Sequence, residues 1–283
     1  MKYILVTILA LMLSSCFSAK GLPLKSVKTE ITTNNTETNQ LEENLETLKE
    51  SVSKTVTENT KAATTNTINI DHSSWHNLLQ KYVKDNGNVD YIGFKSEINT
   101  LNIYVNYLAT QIPTEKWTIQ DQLAYFINVY NANTIKLIVD NYPTKSIKDI
   151  SNPWSKNRIK IGIENYSLAD IENGILRKMN EPRIHFAINC ASIGCPKLLN
   201  KAYTKDNVMA LMEEATIEFI NNDNKNKISA DSIKISEIFK WYKNDFTQNG
   251  SLIDYINTYS KTKINTNTKV NYKNYDWNLN DIE

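Results

Sequence analysis

The feature that most constrains this chain is an abrupt change of composition near residue 70. Between Ser18 and Asn69 there is no Trp, Tyr, Phe, Met or Cys, and Thr, Asn, Glu, Lys and Ser dominate. A segment of that kind buries too little apolar surface to offset its chain entropy. From Asp71 onward the chain carries all five Trp and nearly all of its Tyr, enough for one domain with its own core. The expected organisation is a leader over 1–15, a tether over 16–70 and a globular domain over 71–283. Within the tether, Leu41, Leu45, Leu48 and Val52 have helical spacing but span too few heptads for a coiled coil. With 32 basic against 31 acidic side chains, the whole-chain charge offers no footprint for nucleic acid, and none is expected as a partner.

The leader has Lys2, the apolar run Ile4–Leu13, then Ser14-Ser15-Cys16. Such a run is about half of the roughly 20 residues that span a bilayer as a helix, so it reads as a secretory signal and not an anchor. Leu13-Ser14-Ser15-Cys16 resembles the lipobox of bacterial lipoproteins. That resemblance implies cleavage before Cys16, lipidation of its thiol, and an exported protein tethered to the membrane of the cell envelope without crossing it.

Within the domain, Trp75, Leu78, Leu79, Tyr82 and Val83 predict a first helix capped by Ser73 or Ser74, and Phe94, Ile98, Leu101, Val105 and Leu108 a second. Gln122–Asn141 is long and strongly apolar and is expected to be the central helix. Ile159, Ile161 and Ile163 alternate as a strand, and Ser167 with Asp170 opens a helix over Leu168–Met179 through a capping box. Ile184, Phe186 and Ile188 alternate with His185, Ala187 and Asn189, which predicts a strand with His185 on the face away from the core. A helix over Thr204–Asn221, a hairpin at Ala230-Asp231, and helices near Glu237–Phe246 and Leu252–Tyr259 complete an α+β domain, mostly helical with a small sheet.

Chemistry concentrates in Arg183–Pro196, which holds both cysteines of the domain and its only histidine outside the first helix. Three readings follow. In the first, Cys190 or Cys195 is a nucleophile with His185 as its base, since the thiolate is the attacking form. Pro196 would place Cys195 at a helix N-terminus, whereas Cys190 ends the strand in a small-residue loop. Glu172, or Asn128 and Asn131 in the central helix, could orient the imidazole, with Asn128 or a backbone N–H stabilising an oxyanion. In the second, Cys190 and Cys195 form a disulfide, which an exported compartment permits. In the third, His185, both cysteines and Glu172 bind a metal, although the spacing is loose for zinc. His72 and His76 are read as a surface pair, and Trp241, Tyr242, Phe239 and Phe246 as core or a ligand wall.

Several segments together resemble the bacterial family catalogued as domain of unknown function 547. These are Trp75 with Leu78-Leu79, Val89-Asp90-Tyr91, Leu123 to Ala132, Ser167-Leu168 with Ile171-Glu172, His185 to Pro196, Ile238 to Tyr242 with Asp245-Phe246, and Tyr275-Asp276-Trp277. The resemblance implies a shared site around Asn128, Asn131, Glu172, His185, Cys190 and Cys195. Some relatives lack the second cysteine, which favours Cys190 as nucleophile over an obligatory disulfide. The expected function is a membrane-tethered thiol hydrolase or acyltransferase acting on a peptide or amide bond, without a cofactor and with transglutaminase- or papain-like logic. The competing expectation is a non-catalytic envelope module that binds a peptide or protein ligand.

Overall fold

The computed structural model describes residues 21–27 and 69–282. Cys16, the apolar run before it and the leucine-spaced segment of the tether lie outside the described residues. Residues 21–27, in the stretch expected as tether, lie against the domain. Leu22 joins its core, the Lys25 N–H donates to Gln122 Oε1 at 2.9 Å, and Ser26 Oγ accepts from Asn180 Nδ2 at 2.7 Å.

The centre is a helix over Ile119–Asp140. Thr118 and Asp121 close a capping box at its start, satisfying two backbone donors reciprocally. Of its 22 residues, 19 are buried, so it lacks a solvent face and organises the core from all sides. Three helices, α1 (Ser73–Tyr82), α2 (Tyr91–Ser96) and α3 (Ile98–Thr110), pack to one side, and we number the central helix α4. The second helix expected from the apolar spacing is thus two, broken at Glu97, whose carboxylate receives Lys81 and Tyr82. Among the described residues no helix is long and apolar enough to cross a membrane.

The fold is α+β, its strands forming two small sheets. β1 (Ile159–Ile161) pairs antiparallel with β2 (Glu164–Tyr166) through a turn in which Gly162 adopts φ +60°, so the predicted strand ends at Ile161 and Ile163 is exposed. In the second sheet β3 (Lys227–Ile228) and β4 (Ile233–Ser236) form the expected hairpin, and β5 (Val270–Lys273) adds parallel to β4. Beside it α5 (Val208–Ile220), the short helices α6 (Ile238–Trp241) and α7 (Lys243–Phe246), and α8 (Leu252–Tyr259) enclose a second core. Phe186, Phe219, Phe239 and Phe246 meet at its middle, the contacting pairs with ring centroids 5.1–6.2 Å apart, which makes Phe239 and Phe246 core residues.

Two predicted elements are corrected. Ile184–Ile188 is not a strand: Pro182–Phe186 is a 3-10 helix with Pro in its first turn, capped by the Glu181 side chain on the Arg183 N–H. His185 is buried along with Ile184 and Phe186, so the alternation never described two faces. Leu168–Met179 opens with the expected Ser167–Asp170 box but continues as a π-helix over Asp170–Ile175 and a 3-10 turn over Leu176–Met179. Wide turns of this kind recur at functional sites.

His72 is not a surface residue. It occupies the N-cap position of α1, is 6% exposed, and its Nδ1 lies 2.7 Å from the Tyr104 hydroxyl. Burial pushes its pKa down from 6.5 to about 4, against the attraction of Asp71. The unfolded chain therefore binds this proton first, and stability is lost as pH falls from about 6.5 through about 4. Between about pH 7.5 and pH 5 we expect His72 to account for about 2 kcal/mol of lost stability, a loss that His72→Gln removes from the pH slope. Urea unfolding of both proteins at the two pH values measures it; equal slopes would refute the assignment.

A candidate thiol site in an aromatic pocket

The loop from Ala187 to Pro196 follows the 3-10 helix that carries His185, and α4 holds it in place. Asn131 accepts the Asn189 N–H at 2.9 Å and donates to the Ala187 carbonyl at 3.0 Å. Asn189 in turn accepts the Ala191 N–H at 2.7 Å and donates to the Pro196 carbonyl at 2.8 Å, so two buried asparagines satisfy a loop without regular structure. Ala191 takes φ +60°. Gly194 allows the C-terminal segment to approach: a Cβ there would lie 2.8 Å from the Asp276 carbonyl and from the Tyr275 ring.

This folding brings the two sulfurs together as free thiols. Cys195 Sγ accepts the Cys190 backbone N–H at 3.0 Å, the Tyr275 hydroxyl at 3.0 Å and the Ser192 hydroxyl at 3.5 Å. Cys190 Sγ lies 3.2 Å from each of the same hydroxyls. Burial pushes the Cys195 thiol up, but hydrogen bonds from the Cys190, Ser192 and Tyr275 side chains and the Cys190 N–H outweigh it and bring the pKa down to about 6. Cys190, hydrogen-bonded to that sulfur and buried beside its charge, is raised well above the ordinary thiol value. The hydrogen bonds thus favour the thiolate on Cys195 and the protonated thiol on Cys190. No helix begins at Pro196; the donors expected from a helix N-terminus are replaced by one loop N–H and two hydroxyls.

His185 lines the same pocket but is not hydrogen-bonded to either sulfur. Its Nε2 lies 2.7 Å from Asp245 Oδ2, and because an ionised carboxylate only accepts, Nε2 carries the hydrogen. Arg177 grips Asp245 through Nε at 2.6 Å and Nη2 at 2.9 Å. Burial raises the Asp245 pKa, while hydrogen bonds from His185 and Arg177 prevail and hold it well below the carboxylate range. Tyr242 stacks on the imidazole at 4.0 Å, and His185 Nδ1 is buried without a partner.

Two expected roles are corrected. Glu172 does not orient His185; its oxygens receive the hydroxyls of Tyr130, at 3.3 Å, and Tyr242. Asp245 takes that position from α7, 60 residues along the chain. Asn128 is no oxyanion donor: it is fully buried, accepts the Tyr203 N–H at 3.2 Å and donates to the Tyr203 carbonyl at 2.6 Å. Asn131 is likewise structural. No local pattern assigns a role to Asp245, Arg177, Tyr275 or Ser192; the acid at 245 in an otherwise aromatic stretch is the available signal. His76 Nδ1 accepts the Ala202 N–H at 3.4 Å, and among the described residues no three His, Cys, Asp or Glu side chains converge as a metal site.

The pocket around these groups measures about 300 Å³. Cys190, Cys195, His185 and Glu172 share its wall with Trp154, Trp241 and Trp277. No curated protein and no solved structure matches the chain. Over residues 114–220, from just before α4 to the end of α5 and including Glu172, His185 and both thiols, the chain is similar to the family described as protein of unknown function, DUF547.

Proposed function

We propose that this pocket carries out thiol-dependent acyl transfer or hydrolysis on a peptide or amide bond, in a protein tethered to the bacterial envelope through lipidated Cys16. The observation that carries this reading is the Cys195 sulfur, which receives a backbone N–H and two hydroxyls at 3.0–3.5 Å inside a pocket. Three donors converging on a buried sulfur stabilise a thiolate. Cys195 is therefore the nucleophile, in preference to Cys190. As its carbon–sulfur bond forms, negative charge leaves sulfur for the carbonyl oxygen, and the hydroxyls of Tyr275 and Ser192 can rotate to follow it. When the carbon–nitrogen bond breaks, the departing amine receives its proton by way of His185, whose ring Asp245 holds, and the incoming water or second amine returns one to the same ring. Water or a second amine then releases the acyl group. Because His185 does not touch sulfur at rest, the thiolate depends on the loop donors and not on an imidazolium partner.

Site-resolved iodoacetamide labelling of the unreduced protein tests this. Labelling of Cys195 should rise with a midpoint near its pKa of about 6, well below the free-thiol value of about 8.5, while Cys190 stays unlabelled until alkaline pH. Both thiols labelling only above about pH 8 would refute an activated nucleophile. Labelling that requires reductant would show a Cys190–Cys195 disulfide and leave the binding-module reading in its place.

A further inference from the structure

The pocket contains a charge that the thiol chemistry does not use. Glu172 is 7% exposed, and among the described residues no cationic side chain is within ion-pair distance of it. Its two hydrogen-bond donors, Tyr130 and Tyr242, are neutral. Arg177 is committed elsewhere, forked onto Asp245 and bonded to Asn173 through Nη1 at 2.8 Å. Arg177 therefore acts on Glu172 only through space; a buried carboxylate without a directly bonded counter-ion is costly, and a carboxylate offers about four acceptor positions, of which the two tyrosines fill two.

Aromatic faces stand beside this carboxylate. Trp241, 43% exposed, stacks on Trp277 with centroids 5.8 Å apart, and Trp277 meets Trp154 edge-on at 5.7 Å. Indole faces attract cations, and two aromatic rings here already hold the protein's own: Lys148 over Trp277 and Arg177 over Tyr242, each at 5.3 Å. A buried carboxylate without a direct ion pair, open acceptor positions and aromatic walls select for a ligand with positive charge, N–H donors and an apolar stem.

We propose that the pocket binds a primary alkylammonium group of the kind at the end of a lysine side chain. Its N–H groups bond to Glu172 and its methylenes lie along Trp241 and Trp277. As a ligand site this stands by itself. As the acceptor site of an acyl transfer it rests on the thiol reading: Glu172 takes one proton from the bound ammonium and later releases it to solvent, the resulting amine attacks the thioester carbonyl, the carbon–nitrogen bond forms, the carbon–sulfur bond breaks with Cys195 leaving as thiolate, and the second proton on nitrogen passes to His185.

The test is calorimetric titration of the full chain in detergent with n-butylammonium, n-butanol and tetramethylammonium. n-Butylammonium should bind saturably, and each of the other two at least about tenfold more weakly, since one lacks the charge and the other the N–H donors. Glu172→Gln should weaken n-butylammonium by about tenfold or more and Trp241→Ala, on the surface, by a few-fold. No saturable binding, equal binding of n-butanol or tetramethylammonium, or an unaltered affinity in a folded Glu172→Gln protein would overturn the proposal. The comparison of three ligands on the unaltered protein keeps it testable if Glu172→Gln fails to fold. Amine binding without acidic labelling of Cys195 would sink the thiol reading alone, and the converse would sink the amine site alone.

Discussion

Cys195→Ser is expected to erase the labelling limb near pH 6 and leave only the slow alkaline reaction of Cys190. At about pH 5.5 a thiol of ordinary acidity carries several hundredfold less thiolate than one with a pKa of about 6. The more acidic thiolate is also intrinsically weaker as a nucleophile, by roughly tenfold over this pKa interval, so the net loss in labelling rate should be about twentyfold or more. Cys190→Ser should keep the acidic limb, because the serine hydroxyl can still donate to Cys195 and the backbone N–H is retained. Site-resolved rates for the two variants decide the assignment. If the acidic limb survives in Cys195→Ser and disappears in Cys190→Ser, the nucleophile is Cys190.

Asp245→Asn should be the most destabilising of the isosteric changes at the site, costing about 2–3 kcal/mol in urea unfolding at neutral pH. Asp245 is 15% exposed in its side chain and compensates both Arg177 and the nearly enclosed His185. The amide keeps one acceptor oxygen but loses the charge, so the forked guanidinium stays desolvated without its counter-ion. The pKa of Asp245 lies below its unfolded value; its contribution is therefore complete above about pH 4 and lost as pH falls through the folded value. The wild-type and Asp245→Asn stabilities should accordingly converge in acid. A loss below about 1 kcal/mol at neutral pH, or a difference that persists in acid, would show that the Arg177–Asp245–His185 link does not act as a compensated buried group.

What could be read from the residues follows the range over which each signal acts. The central helix, the Ser167–Asp170 box and the hairpin between Ile228 and Ile233 were legible because periodicity, caps and turns act between residues a few positions apart. The 3-10 helix over Pro182–Phe186 was mistaken for a strand because alternation of Ile184, Phe186 and Ile188 implies two faces only when one face meets water, and here His185 is buried too. The π-turn at Glu172 and the parallel pairing of β5 with β4 leave no local pattern, since both depend on partners elsewhere in the chain.

The candidate site divides in the same way. The sequence by itself determined which reactive groups are present in the domain and that His185, Cys190 and Cys195 lie within one short segment, and it marked Asn128 and Asn131 as polar residues inside an apolar helix. It also determined where most of a core could form, because the residues from about 70 onward carry all five Trp and nearly all the Tyr, whose burial is rewarded, although Leu22 joins that core from the stretch before it. Tertiary structure decided the roles. Asp245 and not Glu172 meets His185, Tyr275 completes the donors around the Cys195 sulfur, and Asn128 secures a loop. Hydrogen bonds and charges act over a few ångströms of space without regard to sequence separation, so their partners are fixed only when packing brings α7 and the C-terminal segment against the loop.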